Sequence, residues 1–275
     1  MHPAIFSRTY AAKSAAEVFR AIKRDGYHGA QMNLSSLGLE SLPLELPESV
    51  AEQAGALARE SGIRIAALSG TYNMAHPDPN YRREMCRRFI NVLQAAQRMD
   101  APIVTLCTGS RNLHNMWESH PENTTPSAWG DLRHELDFAL REAEKQNLIL
   151  AIEPEPGNVI CDAPIARKLL NEIASPRLKI ILDAANLLSL KTLSKQRDIM
   201  AEAIDLLGPD IVLAHAKDFD ATGKVVAPTT GVVDLRWFTH LLGRTGYDGA
   251  LIGHGFEAAQ SASSVKALQR LCEIV

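Results

Sequence analysis

Short runs rich in apolar and β-branched residues recur along the whole chain, each followed by a longer stretch in which apolar residues return every three or four positions. The first pattern suits a buried strand and the second an amphipathic helix, so their alternation predicts repeated βα units. Eight runs predict strands: AIFS at 4–7, HGAQMN at 28–33, IRIAAL at 63–68, PIVTLC at 102–107, LILAIE at 148–153, LKIILD at 178–183, IVLAHA at 211–216 and ALIGH at 250–254. Helices are expected at 14–23, 48–61, 80–98, 127–146, 162–174, 196–207, 235–243 and 263–274. Asp162 and Asp234 stand where an N-cap accepts from the first helical turn, and Gly62, Gly208 and Gly246 where a helix end calls for a left-handed residue. Eight such units without a linker or composition break predict an α/β fold, a (β/α)8 TIM barrel forming one domain over 1–275.

Connection lengths then indicate which end of the barrel works. The turns from helix to strand are short, such as SG at 61–62 and DA at 100–101. Three connections from strand to helix are much longer, at 69–79, 108–126 and 217–233. The middle one carries Arg111, His114 and Trp117 among several amides, a composition that suits a polar lid over a substrate, with Arg111 and Trp117 as binding residues.

Four consecutive predicted strands, the fifth to the eighth, end in a residue able to bind a metal: Glu153, Asp183, His215 and His254. Strand side chains alternate, so if Ile149 and Ala151, Ile181, Leu213 and Ile252 point into the barrel, all four end residues converge there too. Taken singly, a strand-end carboxylate is more often a cap or ion-pair partner, and a lone His a satisfied polar group. Four adjacent strands ending alike favour one divalent metal site. Two carboxylates with two imidazoles suit Mn2+, placed first, then Zn2+ or Co2+, and Mg2+ less well.

Composition narrows the partner. Lys and Arg number 29 against 32 Asp and Glu, with no block of like charge, so neither nucleic acid nor a membrane surface is expected and a small molecule is. No apolar run is long enough to span a bilayer, and MHPAIFSRTY lacks the features of a leader, so the chain reads as soluble and unprocessed. Cys86, Cys107, Cys161 and Cys272 are widely spread and form no CxxC pair, which points to a reducing cytoplasm. Cys107 ends a buried strand with no His adjacent and reads as core packing. Homo-oligomerisation is left open.

The segments AIEPEPGN, ILDAANL, AHAKDF and GYDGALIGHG resemble, in order and spacing, the strand-end motifs of the xylose isomerase-like barrels, particularly sugar phosphate isomerases and epimerases. The resemblance implies that Glu153, Asp183 and His215 occupy metal-ligand positions, that Glu153 also transfers a proton, and that Asn186, Lys217 and Asp218 contact or orient the substrate. Many relatives end the eighth strand with a Glu that binds metal and exchanges a proton; here His254 follows GYDGALIG. His254 is favoured as ligand and second catalytic group, with Glu155 and Glu257 the alternatives for the missing carboxylate and Glu155 also a substrate contact. The implied activity is a metal-dependent isomerase or epimerase acting on a sugar, keto-sugar or small polyol through an enediolate. A lyase or dehydratase using the same enolisation, an endonuclease-like phosphodiester hydrolase and a non-catalytic sugar-binding barrel are the competing readings.

Overall fold

Parallel strands in a barrel bury both faces, one toward the barrel axis and one toward the surrounding helices, so each must be apolar at nearly every position. The computed structural model, which describes residues 1–274, shows eight strands of this kind. They are β1 (His2–Phe6), β2 (Gly29–Met32), β3 (Arg64–Ser69), β4 (Ile103–Cys107), β5 (Ile149–Glu153), β6 (Leu178–Asp183), β7 (Ile211–Ala216) and β8 (Ala250–Gly253). All pair in parallel, and β1 pairs with both β2 and β8, closing the barrel. The helices are α1 (Ala15–Arg24), α2 (Glu48–Ser61), α3 (Pro79–Arg98), α4 (Pro126–Lys145), α5 (Ala163–Ile173), α6 (Gln196–Leu207), α7 (Leu235–Arg244) and α8 (Ser261–Cys272). Each predicted element is present, with ends within about two residues of those expected. Among the described residues, no helix is long and apolar enough to cross a membrane.

The two faces of each strand build two separate apolar layers. Ala4, Ala151, Ile181, Leu213 and Ile252 form a small cluster inside the barrel. Leu150, Ile152, Ile180, Leu182, Ala214 and Leu251 belong to a larger layer packed against the helices. Ile149, expected inside with Ala151, is only half-buried and lies outside the inner cluster, because it opens β5 at the N-terminal end of the barrel.

Helix ends follow from local chemistry. The Asp162 and Asp234 carboxylates accept from the backbone N–H groups of Ile165 and Trp237, and Gly62 and Gly246 adopt φ of 70° and 80°. Gly208 departs from expectation: its φ is −42°, and it opens a 3-10 turn (Gly208–Asp210) that runs straight into β7.

More strand-to-helix connections are long than the three expected. Besides those after β3, β4 and β7, the stretch 33–47 after β2 and the stretch 184–195 after β6 are extended and carry 3-10 turns. The first escapes notice in the sequence because its leucines read as packing residues, and Leu34 and Leu42 are indeed buried. The connection after β7 contains a short antiparallel hairpin, Asp218–Phe219 against Val225–Val226. Asp218, expected near the substrate, is fully buried and accepts instead from the backbone N–H groups of Phe219, Gly231 and Val233, which pins that connection in place.

Candidate metal centre and its pocket

Side-chain parity delivers one donor from each of β5 to β8 to the same mouth. Glu153, Asp183, His215 and His254 each lie two residues beyond an inner-layer residue, so all four face the barrel axis. Strand register sets their heights. Asp183 pairs with His215 across β6 and β7, whereas His215 pairs with Ile252 of β8, so His254 sits one pleat higher.

His215 Nδ1 lies 3.1 Å from Glu153 Oε1 and 4.0 Å from Asp183 Oδ2. His254 Nε2 lies 3.3 Å from that same Asp183 oxygen. One donor atom from each of the four residues lies within 4.8 Å of the other three. First-row divalent ions bind N and O donors at about 2.0–2.2 Å, which sets adjacent donors roughly 3 Å apart and opposed ones roughly 4 Å apart. The cluster fits an ion of that size.

A second set of contacts holds the donors. Gln31 Oε1 accepts from His215 Nε2 at 2.8 Å, which leaves Nδ1 as the nitrogen turned toward the carboxylates. The other end of the Gln31 amide donates to Thr105 Oγ1 at 3.3 Å. Asn186 Nδ2 donates to Glu153 Oε1 at 3.0 Å, and the Ala185 N–H donates to Asp183 Oδ1 at 2.9 Å. The Lys217 ammonium lies 3.1 Å from Asp183 Oδ2 and donates to Asn186 Oδ1.

Burial and charge pull the titrating groups apart. Burial opposes ionisation of Asp183, but Lys217 and His254 outweigh it and hold the carboxyl well below its ordinary range. Burial likewise works against the Glu153 carboxylate, and the His215 imidazole overcomes it, leaving the pKa lowered. For His215 the charges of Glu153 and Asp183 overcome burial and raise the pKa; for His254 burial and the charge of His215 lower it. Burial would lower the Lys217 pKa, but Asp183, Glu155 and Glu153 raise it. Glu155 is pushed up to about 7, by burial and then by the charge of Glu153. Two neighbouring carboxyls with separated pKa values form an arrangement suited to acid and base roles.

The cluster opens into a pocket of about 440 Å³. Its polar lining includes Gln31, Thr105, Glu153, Glu155, His215 and His254, and Phe6, Met116 and Trp117 supply apolar surface. A groove of about 460 Å³ between the connection at 227–230 and α8 holds none of the four candidate donors. The chemistry therefore belongs to the first.

The structure thus brings Glu153, Glu155, His215, His254 and Trp117 to one pocket. Asn186 and Lys217, expected as substrate contacts, are engaged with Glu153 and Asp183 and position those carboxylates. Arg111 is a correction. Its guanidinium is buried and bonded to Ala75 O, Ser127 Oγ and Asp131, so it ties the connection after β4 to α4 and does not line the pocket. That connection forms a wall of the pocket through Met116 and Trp117, and side-chain bonds tie it to its neighbours. Asn158 Nδ2 donates to Met116 O at 2.9 Å, Gly109 N donates to Asn158 Oδ1 at 2.7 Å, and Asn123 Nδ2 donates to Gly157 O at 3.0 Å. Glu257 is exposed, its backbone N–H donates to the Gln260 side chain, and it lies outside the donor cluster. Cys107, expected to be mere packing, also lines the pocket; burial keeps its thiol protonated by raising its pKa. Gln31, Ser69 and Thr105 went unrecognised in the sequence, although each is a polar residue within a predicted or neighbouring strand segment at which a core position would be apolar.

Residues 19–273 match the model of a family described as the xylose isomerase-like TIM barrel. No curated protein matches the chain. Among solved structures, the 3-keto-D-glucoside 4-epimerase of E. coli is 17% identical with a TM-score of 0.78, over 99% of this chain and 100% of that one. A D-tagatose 3-epimerase-like protein is 14% identical with a TM-score of 0.79, over 100% and 98%. The D-psicose 3-epimerase of Clostridium cellulolyticum H10, solved with D-tagatose, is 14% identical with a TM-score of 0.77, over 100% and 99%. At these identities the likeness establishes the barrel architecture.

Proposed function

The chain belongs to the xylose isomerase-like TIM barrel family, and we propose that it is a divalent-metal-dependent sugar epimerase or isomerase that moves a proton at the carbon beside a carbonyl. The observation that carries this reading is the setting of Glu153: an ionised carboxylate in a polar pocket, grouped with three further metal donors. The similarity in fold to the E. coli and Clostridium epimerases supports the same reading. Glu153, Asp183, His215 and His254 would hold the ion, with Mn2+ placed first by the mixture of two carboxylates and two imidazoles. When bound, the ion supplies positive charge that stabilises negative charge developing on a substrate carbonyl oxygen.

The chain's own groups perform the rest. Asn186 and His215 both bind Glu153 Oε1, and Oε2 has no hydrogen-bond partner among the described residues, which leaves that oxygen to take the proton. His254 and Glu155, which line the pocket together with Glu153, are the groups placed to return it. Lys217 balances the buried carboxylates and helps keep Glu153 ionised.

The test is turnover in D2O with a panel of ketoses and keto-glycosides. Proton transfer places deuterium at the carbon beside the carbonyl, and Glu153→Gln nearly abolishes the exchange. No incorporation from any substrate, or exchange by Glu153→Gln at the parental rate, overturns the proposal.

A further inference from the structure

The three tryptophans of this chain are in different situations. Trp129 Nε1 donates to Glu172 at 2.9 Å, and the Lys168 ammonium lies 4.4 Å over its ring. Trp237 Nε1 donates to Arg197 O at 3.2 Å, with the Arg197 guanidinium 5.2 Å from its ring. Trp117 is 51% exposed, lines the pocket, and its indole N–H has no acceptor among the described residues. A tryptophan that anchors a loop buries its ring against the body of the protein. Here the backbone does the anchoring. Trp117 N donates to Asn115 Oδ1 at 3.1 Å, Asn158 holds the Met116 carbonyl, and Gly157 approaches so closely that an added Cβ would lie 2.0 Å from Trp117 O. The segment that carries the ring is thus held by its backbone, and the ring itself presents an apolar surface with one unused donor.

We infer that Trp117, backed by Met116, is the seat for a second ring in glycosidic linkage to the sugar that reaches the metal centre, so that the substrate is a glycoside and not a free monosaccharide. This rests on the reading of the pocket as a sugar site. The buried polar groups Gln31, Glu153 and His215 suit the reacting sugar, whereas Trp117, half exposed, stands on the solvent side of the same pocket. The volume, about 440 Å³, falls in the range of about 300–1,000 Å³ that holds drug-sized ligands, a size class that includes two-ring glycosides. A pyranose or aromatic ring offers the flat apolar face that stacks on indole, and a ring or linkage oxygen offers the acceptor for its N–H.

The experiment measures binding without turnover, by calorimetry and tryptophan fluorescence, on the Mn2+-loaded protein. The probes are methyl glycosides, phenyl glycosides and disaccharides in the gluco, galacto and manno series. A two-ring ligand is expected to bind about tenfold more tightly than the methyl glycoside of the same sugar, and to perturb the fluorescence. Trp117→Ala should abolish that preference, bringing two-ring ligands down to the affinity the same variant shows for the methyl glycoside, and Trp117→Phe should keep most of it. Phenyl glycosides and disaccharides separate an aromatic second ring from a sugar one. Equal affinity within every series, no binding at all, or a preference that survives in Trp117→Ala overturns the proposal. Because no chemistry is read, a failure of deuterium exchange with the preference intact would count against the epimerase reading alone.

Discussion

Gln31, on β2, places its Oε1 2.8 Å from Nε2 of His215, on the far side of the barrel on β7. The bond fixes the proton on Nε2 and turns Nδ1 toward Glu153 and Asp183. Partners of this kind orient ligating imidazoles, and losing one typically costs about 10–100-fold in metal affinity. Gln31→Leu should therefore weaken Mn2+ binding by about that factor in calorimetry. Gln31→Glu, which keeps the acceptor, should retain most of it. A leucine variant with parental affinity would show that packing alone orients His215.

The choice among candidates for the eighth-strand ligand is testable by metal content. His254 approaches Asp183 and belongs to the donor cluster, while Glu257 is exposed and outside it. Elemental analysis of His254→Ala and of His215→Ala should show most of the metal lost, whereas Glu257→Ala should stay near one ion per chain. The reverse pattern would move the ligand assignment to Glu257.

The course of the wall after β4 depends on a glycine. No side chain fits at Gly157, because Trp117 O and Glu118 C occupy the space where one would go. Gly157→Ala should displace the segment bearing Met116 and Trp117, raising KM several-fold while metal content stays at the parental level. Normal kinetics would mean that the wall yields at no cost to binding.

Stability should depend on pH through Asp25. Its carboxylate accepts from Tyr10 Oη at 2.9 Å and from Arg24 Nε at 2.7 Å, and Tyr10 Oη also contacts Ser261 Oγ at 2.6 Å, which ties α1 to α8 across the seam of the barrel. Burial works against this charge, but the bonds from Arg24, Tyr10 and Ser261 outweigh it, so the folded pKa lies below the ordinary 3.8. A depressed carboxylate pKa contributes stability that is present above 3.8 and lost as pH falls through the folded value. Asp25→Asn should thus cost about 1–3 kcal/mol at neutral pH. In urea titrations that difference from the parent should shrink steadily below pH 3.8. A gap that stays constant into strong acid would contradict this account.

Much of the site was legible because it follows from local order. Glu153, Asp183, His215 and His254 end strands whose alternation can be counted, and parity alone aims them at the axis. Arg111 shows the limit of composition. A basic residue on a long connection suggests a ligand contact, yet Asp131 on α4 claims it, and no local pattern announces that pair.

By itself the sequence determined the alternation of strand and helix, the number of βα units and the inward direction of the four donors. These depend on residues two to four positions apart, where backbone geometry sets the period. Tertiary structure alone decided that Gln31 meets His215, 184 positions away, that Asn158 clamps the Met116 carbonyl, and that Lys217 and Asn186 serve the carboxylates. Such pairs form only when the barrel closes with one particular register, and that register is set by the packing of all the strands and helices together.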